Sequence, residues 1–197
     1  MEATFHALTD ALAPTSNSPS SFNETDDRHV HQYVIYSLNH YITVQNQLYS
    51  STLPLAYPTA LMLDAAAMQF INRHPSAPYE ESPFPGGGIF SHLSKMDRIR
   101  TLSMLENLDL DLFLLPDPFQ NNAGLIRFMV NALNRFSLFG YYSEWAAYGS
   151  TRLLPPNQRR LEFFPLSWRE VGYPGVSYGY RAFRGFLLTM AEARDAK

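Results

Sequence analysis

The chain predicts an all-α fold: a helical bundle followed by a long, irregular, aromatic-rich C-terminal segment. Three observations carry this. Apolar residues recur at helical spacing in one segment after another up to about residue 140. No stretch alternates apolar and polar residues convincingly enough to predict a strand, and no repeat is visible. The run from Phe136 to Phe186 holds both tryptophans and 14 of the chain's 28 Phe, Tyr and Trp residues, but Gly and Pro punctuate it too often for a long helix or a regular strand.

The elements follow in order. Thr4 to Leu12 reads as a short amphipathic helix ended near Pro14. Thr15 to Asp27, rich in Ser, Asn and Pro with acids at Glu24, Asp26 and Asp27, reads as a surface loop. Val30, Val34, Ile35, Leu38, Tyr41 and Ile42 then mark a helix from Asp27 to about Leu48, with Asp26 or Asp27 as N-cap. A further helix is expected from Pro58, as its first residue, to Arg73. A Pro/Gly loop occupies 75–88. Ser94 and Asp97 make a capping-box-like start for a helix through Leu105, with Ile99 and Leu102 facing inward. Leu108 to Phe119 is ambiguous. Asn121 or Asn122 caps an apolar helix to Phe139, with Gly140 just past its end. A last helix is expected over Tyr178 to Glu192. The chain thus reads as a single domain, 1–197, with the bundle over about 4–140 and the aromatic segment over about 141–197.

Composition narrows the function. A chain of 197 residues with 46% hydrophobic and 17% charged residues is long enough and apolar enough for one buried core. The net charge of −3 disfavours a general nucleic-acid binder. Residues 151–190 nevertheless hold six arginines (152, 159, 160, 169, 181 and 184) against Glu162 and Glu170. That reads as a solvated basic face, as a field that steers an acidic protein partner, or as a contact for membrane headgroups or nucleic acid. Without cysteine, disulfides, thiolate metal sites, iron–sulfur ligation and thiol nucleophiles are excluded. No signal peptide or span of about 20 apolar residues is visible, so the chain as given is expected to be cytoplasmic, or else periplasmic or on the outer face of the membrane by co-export with a partner.

Motifs for catalysis are missing. Gly86-Gly87-Gly88 lacks the Lys-Ser/Thr of a phosphate loop and the spacing of a dinucleotide fingerprint. There is no nucleophile elbow and no HExxH pair. His29 and His40 share a helix face but lie roughly 16 Å apart, and His31 points elsewhere, so no metal site is expected. The paired acids Glu80/Glu81, Asp109/Asp111 and Asp26/Asp27 read as solvated loop or helix-end residues. What remains is the aromatic segment. Tyr, Trp and Arg on irregular backbone are the composition of a docking surface. Tyr141, Tyr142, Trp145, Tyr148, Arg152, Trp168, Tyr173 and Pro174 are therefore the candidate partner-binding residues. The alternative is internal: the same rings could pin an irregular tail to its own helices.

Two motifs in this segment carry a resemblance. Phe139-Gly140-Tyr141-Tyr142…Tyr148-Gly149…Arg152, followed by Trp168-Arg169-Glu170-Val171-Gly172-Tyr173-Pro174-Gly175, resembles the C-terminal hallmark of the gluconate 2-dehydrogenase subunit 3 family. Phe5-His6-Ala7-Leu8-Thr9-Asp10-Ala11-Leu12-Ala13-Pro14 is similar to the family's opening motif, and Ser94 to Glu106 to its central helix. Departures are Ser143-Glu144-Trp145 at the usual acidic-Pro turn, Ser150-Thr151 in place of Gly-Asn, and about 15 extra residues over Thr151 to Ser167. The resemblance implies a noncatalytic small subunit that supports stability, maturation or export of a large sugar or polyol dehydrogenase. That partner, of the glucose–methanol–choline type, would hold the FAD and the catalytic histidine, with a cytochrome c subunit as a further partner. No cofactor is then expected in this chain. The other reading is a stand-alone helical haem- or ligand-binding protein or enzyme using His29, His31 or His92, and a third is an unrelated adaptor.

Overall fold

The computed structural model describes residues 1–12, 28–42, 44–45, 52–75 and 84–173. It is all-α. Helices α1 (Glu2–Leu12), α2 (Val30–His40), α3 (Ala56–Arg73), α4 (Lys95–Asn107) and α5 (Ala123–Tyr142) surround one continuous core. A short helix, α6 (Leu166–Glu170), lies in the C-terminal segment. Strands β1 (Val44–Gln45) and β2 (Thr52–Leu53) pair antiparallel, Val44 opposite Leu53. No strand is expected from the sequence, because two residues per strand are too few to show a period.

Helix α1 sits at the centre. Thr4, Phe5, Ala7, Leu8, Thr9, Asp10 and Ala11 are all buried, so it is enclosed on nearly every side by α2, α3, α4 and α5. The acid at Asp10 is matched from α4: the Arg98 guanidinium donates to Asp10 Oδ2 at 3.0 Å, to the Ala7 carbonyl at 3.3 Å and to the Ser91 carbonyl at 3.0 Å. A buried ion pair needs these extra acceptors, because desolvation of two charges otherwise outweighs their attraction.

Capping explains several boundaries. Ser94 Oγ accepts from the Asp97 amide at 3.2 Å and donates to the Asp97 carboxylate at 2.7 Å, opening α4 as its sequence suggests. Asn122 Oδ1 accepts from the Leu125 amide at 3.1 Å and opens α5. Other boundaries differ from expectation. Helix α2 begins after His29, in the left-handed region at φ 49°, and stops at His40 instead of about Leu48; Asp26 and Asp27 lie outside the described residues. Helix α3 starts two residues before Pro58, with Asn39 Oδ1 accepting from the Ala56 amide at 3.1 Å. Proline is tolerated there because the first turn has no intrahelical use for its missing N–H. On α4, Leu102 is buried but Ile99 is exposed, at the rim of a pocket it shares with Leu12 of α1 and Val130 of α5.

The largest correction concerns Gly140. Helix α5 does not end before it but continues through Tyr142. The glycine is there for proximity: a Cβ would lie 2.9 Å from a Tyr33 ring atom on α2. Its absence lets α2 and α5 pack tightly, and these two helices share the most extensive interface of the bundle. The expected helix over Tyr178 to Glu192, like Pro174, falls outside the described residues.

Candidate functional site

The two aromatic motifs come together at the C-terminal end of α5. Past Ser143 the chain turns through a 3-10 segment, Trp145–Thr151, kinked at Gly149 (φ 50°, ψ −119°). A side chain at Gly149 is strained by the positive φ, and its Cβ would displace the Glu162 carboxylate, whose Oε2 would sit 2.0 Å away. Glu162 instead accepts from the Ser150 amide at 2.9 Å and from the Ser150 hydroxyl, and these bonds hold its carboxyl below the usual carboxylate range. The Glu162 amide donates to the Ala147 carbonyl at 2.8 Å, and Ser167 Oγ donates to the Ser143 carbonyl at 3.2 Å. The segment over 151–167 therefore folds back and brings the second motif against the first.

A buried cation completes the junction. Arg28, just before α2, stacks its guanidinium 4.1 Å from the Tyr141 ring centroid, donates to the Tyr141 carbonyl at 3.1 Å and pairs with Glu170 on α6. Sequence reading missed Arg28. Nothing in its neighbourhood marks it, and its partners are more than a hundred residues away.

The candidate residues divide into two sets. Trp145 is 2% exposed and packs edge-on against Tyr33, with ring centroids 5.2 Å apart. Its indole N–H donates to the His29 carbonyl at 3.1 Å, and the Arg159 guanidinium lies 5.0 Å from its ring. Tyr141 is likewise buried, under Arg28. These two rings are filled from within the chain, so the internal role describes them and the docking role does not. Tyr148 is half-buried and donates to Glu144 Oε1 at 2.9 Å. Burial first, then the bond to and the charge of Glu144, push its phenol up to about 12. Arg152 Nε donates to the Gly149 carbonyl at 2.8 Å, and burial lowers the pKa of its guanidinium. Both serve the local turn.

The second set faces outward. Tyr142 is 52% exposed and Phe139 63%. With Tyr33, Arg135, Phe136 and Leu138 they line a shallow, almost wholly apolar groove of about 590 Å³. Further along, Phe163, Phe164, Leu166, Val171 and Tyr173 are exposed, and Trp168 is half-buried between Phe164 and Tyr173, centroids 5.8 and 4.9 Å away. Phe139, Phe163 and Phe164 belong with the candidates; their exposure is a tertiary property that local sequence does not report.

The histidines are arranged differently from the sequence reading. His31, 2% exposed, stacks on His6 of α1 with centroids 3.4 Å apart, and its Nε2 lies 3.4 Å from Glu2 Oε1. His29 lies 6.3 Å from His31, centroid to centroid. Burial first, then the charges of His6, His29 and Arg152, push the His31 pKa down from 6.5 to about 3, so its imidazole is neutral at neutral pH. The legible signal was Glu2 and His6, four residues apart on one helix face; that His31 joins them requires the packing of α2 on α1.

Among the described residues no helix is long and apolar enough to cross a membrane. Comparison of the chain with known proteins finds no matching family model, no matching curated protein and no matching solved structure.

Proposed function

We propose that this chain is a noncatalytic docking subunit, and that its partner is the large FAD-bearing subunit of a sugar or polyol dehydrogenase complex. The observation that carries the docking part is the outward-facing aromatic surface: Phe139 and Tyr142 along the groove on α5, then Phe163, Phe164 and Tyr173 on the folded-back segment. Apolar side chains grouped on an exposed face lose free energy to water that burial against a second protein recovers. Large rings fixed on a folded scaffold also dock with little loss of conformational freedom. The identity of the partner rests on the resemblance to the gluconate 2-dehydrogenase subunit 3 family. Arg160, exposed on the folded-back segment, would add attraction toward an acidic face.

The test is co-expression with the neighbouring gene products, followed by hydrogen exchange on the free chain and the complex. Stable co-purification of a flavin-bearing partner, with new protection at residues 139–142 and 163–173, is the expected result. Equal protection in both states would reject the docking surface. Docking onto a partner without flavin would keep the surface and reject the dehydrogenase assignment.

A further inference from the structure

We propose that Glu2, His6 and His31 form a binding site for a divalent transition-metal ion, zinc by preference, which staples α1 to α2. The inference is independent of the docking reading. One candidate ligand atom from each of the three residues lies within 4.8 Å of the others. In a tetrahedral site with bonds of about 2.0–2.1 Å, neighbouring ligand atoms stand roughly 3.4 Å apart. The cluster needs to contract by little more than an ångström, and two of its members can move: Glu2 is exposed and His6 only half-buried. Closing on an ion also asks the stacked His6 and His31 rings to swivel, because a metal lies near the plane of each imidazole. The spacing on α1 suits this, since residues four apart project from one helix face.

His31 supplies the independent observation. Its side chain is nine-tenths buried or more, and its Nδ1 has no hydrogen-bond partner among the described residues. Its other nitrogen, Nε2, stands 3.4 Å from Glu2 Oε1, longer than a good hydrogen bond. A buried imidazole with neither nitrogen well satisfied costs free energy that no described contact returns. A metal ion on Nε2 returns the part lost at that nitrogen by replacing the long contact to Glu2, and Nδ1 then carries the ring proton.

The donor set selects the ion. Two imidazoles and a carboxylate suit zinc and its neighbours; the all-oxygen preference of calcium and magnesium and the thiolate or thioether preference of copper(I) do not fit. Three protein ligands leave a fourth position for water on the exposed Glu2 side. Because α1 is the central helix and α2 packs across it, such an ion would tie the two helices at their N-terminal ends.

The test uses the full chain, stripped with chelator and titrated with cobalt(II) and then zinc. Expected are visible ligand-field absorption saturating near one equivalent, its bleaching by zinc, and a rise in Tm with zinc. Glu2→Gln and His6→Asn should each weaken binding by more than the roughly 10–100-fold that follows loss of an outer-shell support. His40→Ala and His92→Ala should leave it unchanged. Both ligand variants alter side chains that are not fully buried, so folding, checked by circular dichroism, is expected to survive where a change at His31 would endanger it. Absence of a saturating cobalt signal overturns the site, as does a signal indifferent to both ligand variants.

Discussion

Replacing Trp145 with alanine is the perturbation that best separates scaffold from docking surface. The side chain is 2% exposed, contacts Tyr33 and Tyr36 edge-on and at a tilt, and donates its indole N–H to the His29 carbonyl. Truncating a buried aromatic costs about 3–5 kcal/mol, and the stranded carbonyl pushes the value toward the upper end of that range. For a domain of this size each kcal/mol shifts Tm by about 2–4 °C, so the fall should be roughly 6–20 °C. Trp145→Phe keeps most of the ring contacts but loses the N–H, and should cost about 1 kcal/mol. The assay is thermal and urea unfolding of the free chain. A fall in Tm below about 2 °C, with loss of partner binding, would show that Trp145 is an anchor presented outward and that its packing on α2 is wrong.

Three further outcomes are expected. Tyr142→Ala and Phe163→Ala should leave stability within about 0.5 kcal/mol yet weaken the complex by roughly 2 kcal/mol, as read by unfolding and by titration calorimetry. Asp10→Ala should destabilise by about 3–5 kcal/mol, because it strands the Arg98 guanidinium among carbonyls; a loss under 1 kcal/mol would mean that the pair is not buried as described. In the presence of chelator, stability should fall as pH drops below the ordinary histidine value of 6.5 and continue to fall toward about 3, since the unfolded chain takes up the His31 proton that the folded chain refuses. The slope is about 1.4 kcal/mol per pH unit for one proton. His6, His29, Glu2 and Arg152 face the same ring and shape the curve, so the diagnostic is His31→Gln, which should flatten it by about one proton.

What could be read from the sequence was what depends on neighbours in the chain. The caps at Ser94 and Asn122 were legible because a cap acts over three residues, and the all-α class because periodicity is local. Gly140 shows the limit. Glycine stops helices often enough to read as an end, but here it makes room for Tyr33, a residue 107 positions earlier. Ile99, expected inward, stays exposed at the rim of a pocket between α1, α4 and α5, which its spacing to Leu102 does not report. Trp145 and Tyr141 looked like partner anchors, since an irregular aromatic stretch shows what it could bury and not what already covers it; Tyr33, Tyr36 and Arg28 do so from the other half of the chain. His31 was set apart from His29 and His40, but the structure brings its ring to 6.3 Å from that of His29, and its companions on α1 were not in view.

Arg28 has a consequence for how the C-terminal region opens. One guanidinium, 3% exposed at its side chain, serves the end of α5 through Tyr141 and the short α6 through Glu170. Pulling α6 away does not merely remove a contact; it leaves a positive charge facing an aromatic ring and one carbonyl with its counter-charge gone. Partial detachment is then the least favourable position along the path, and release should be abrupt, like a latch, in place of gradual peeling from the end. Such a joint holds the aromatic face in one orientation until the whole of it lets go.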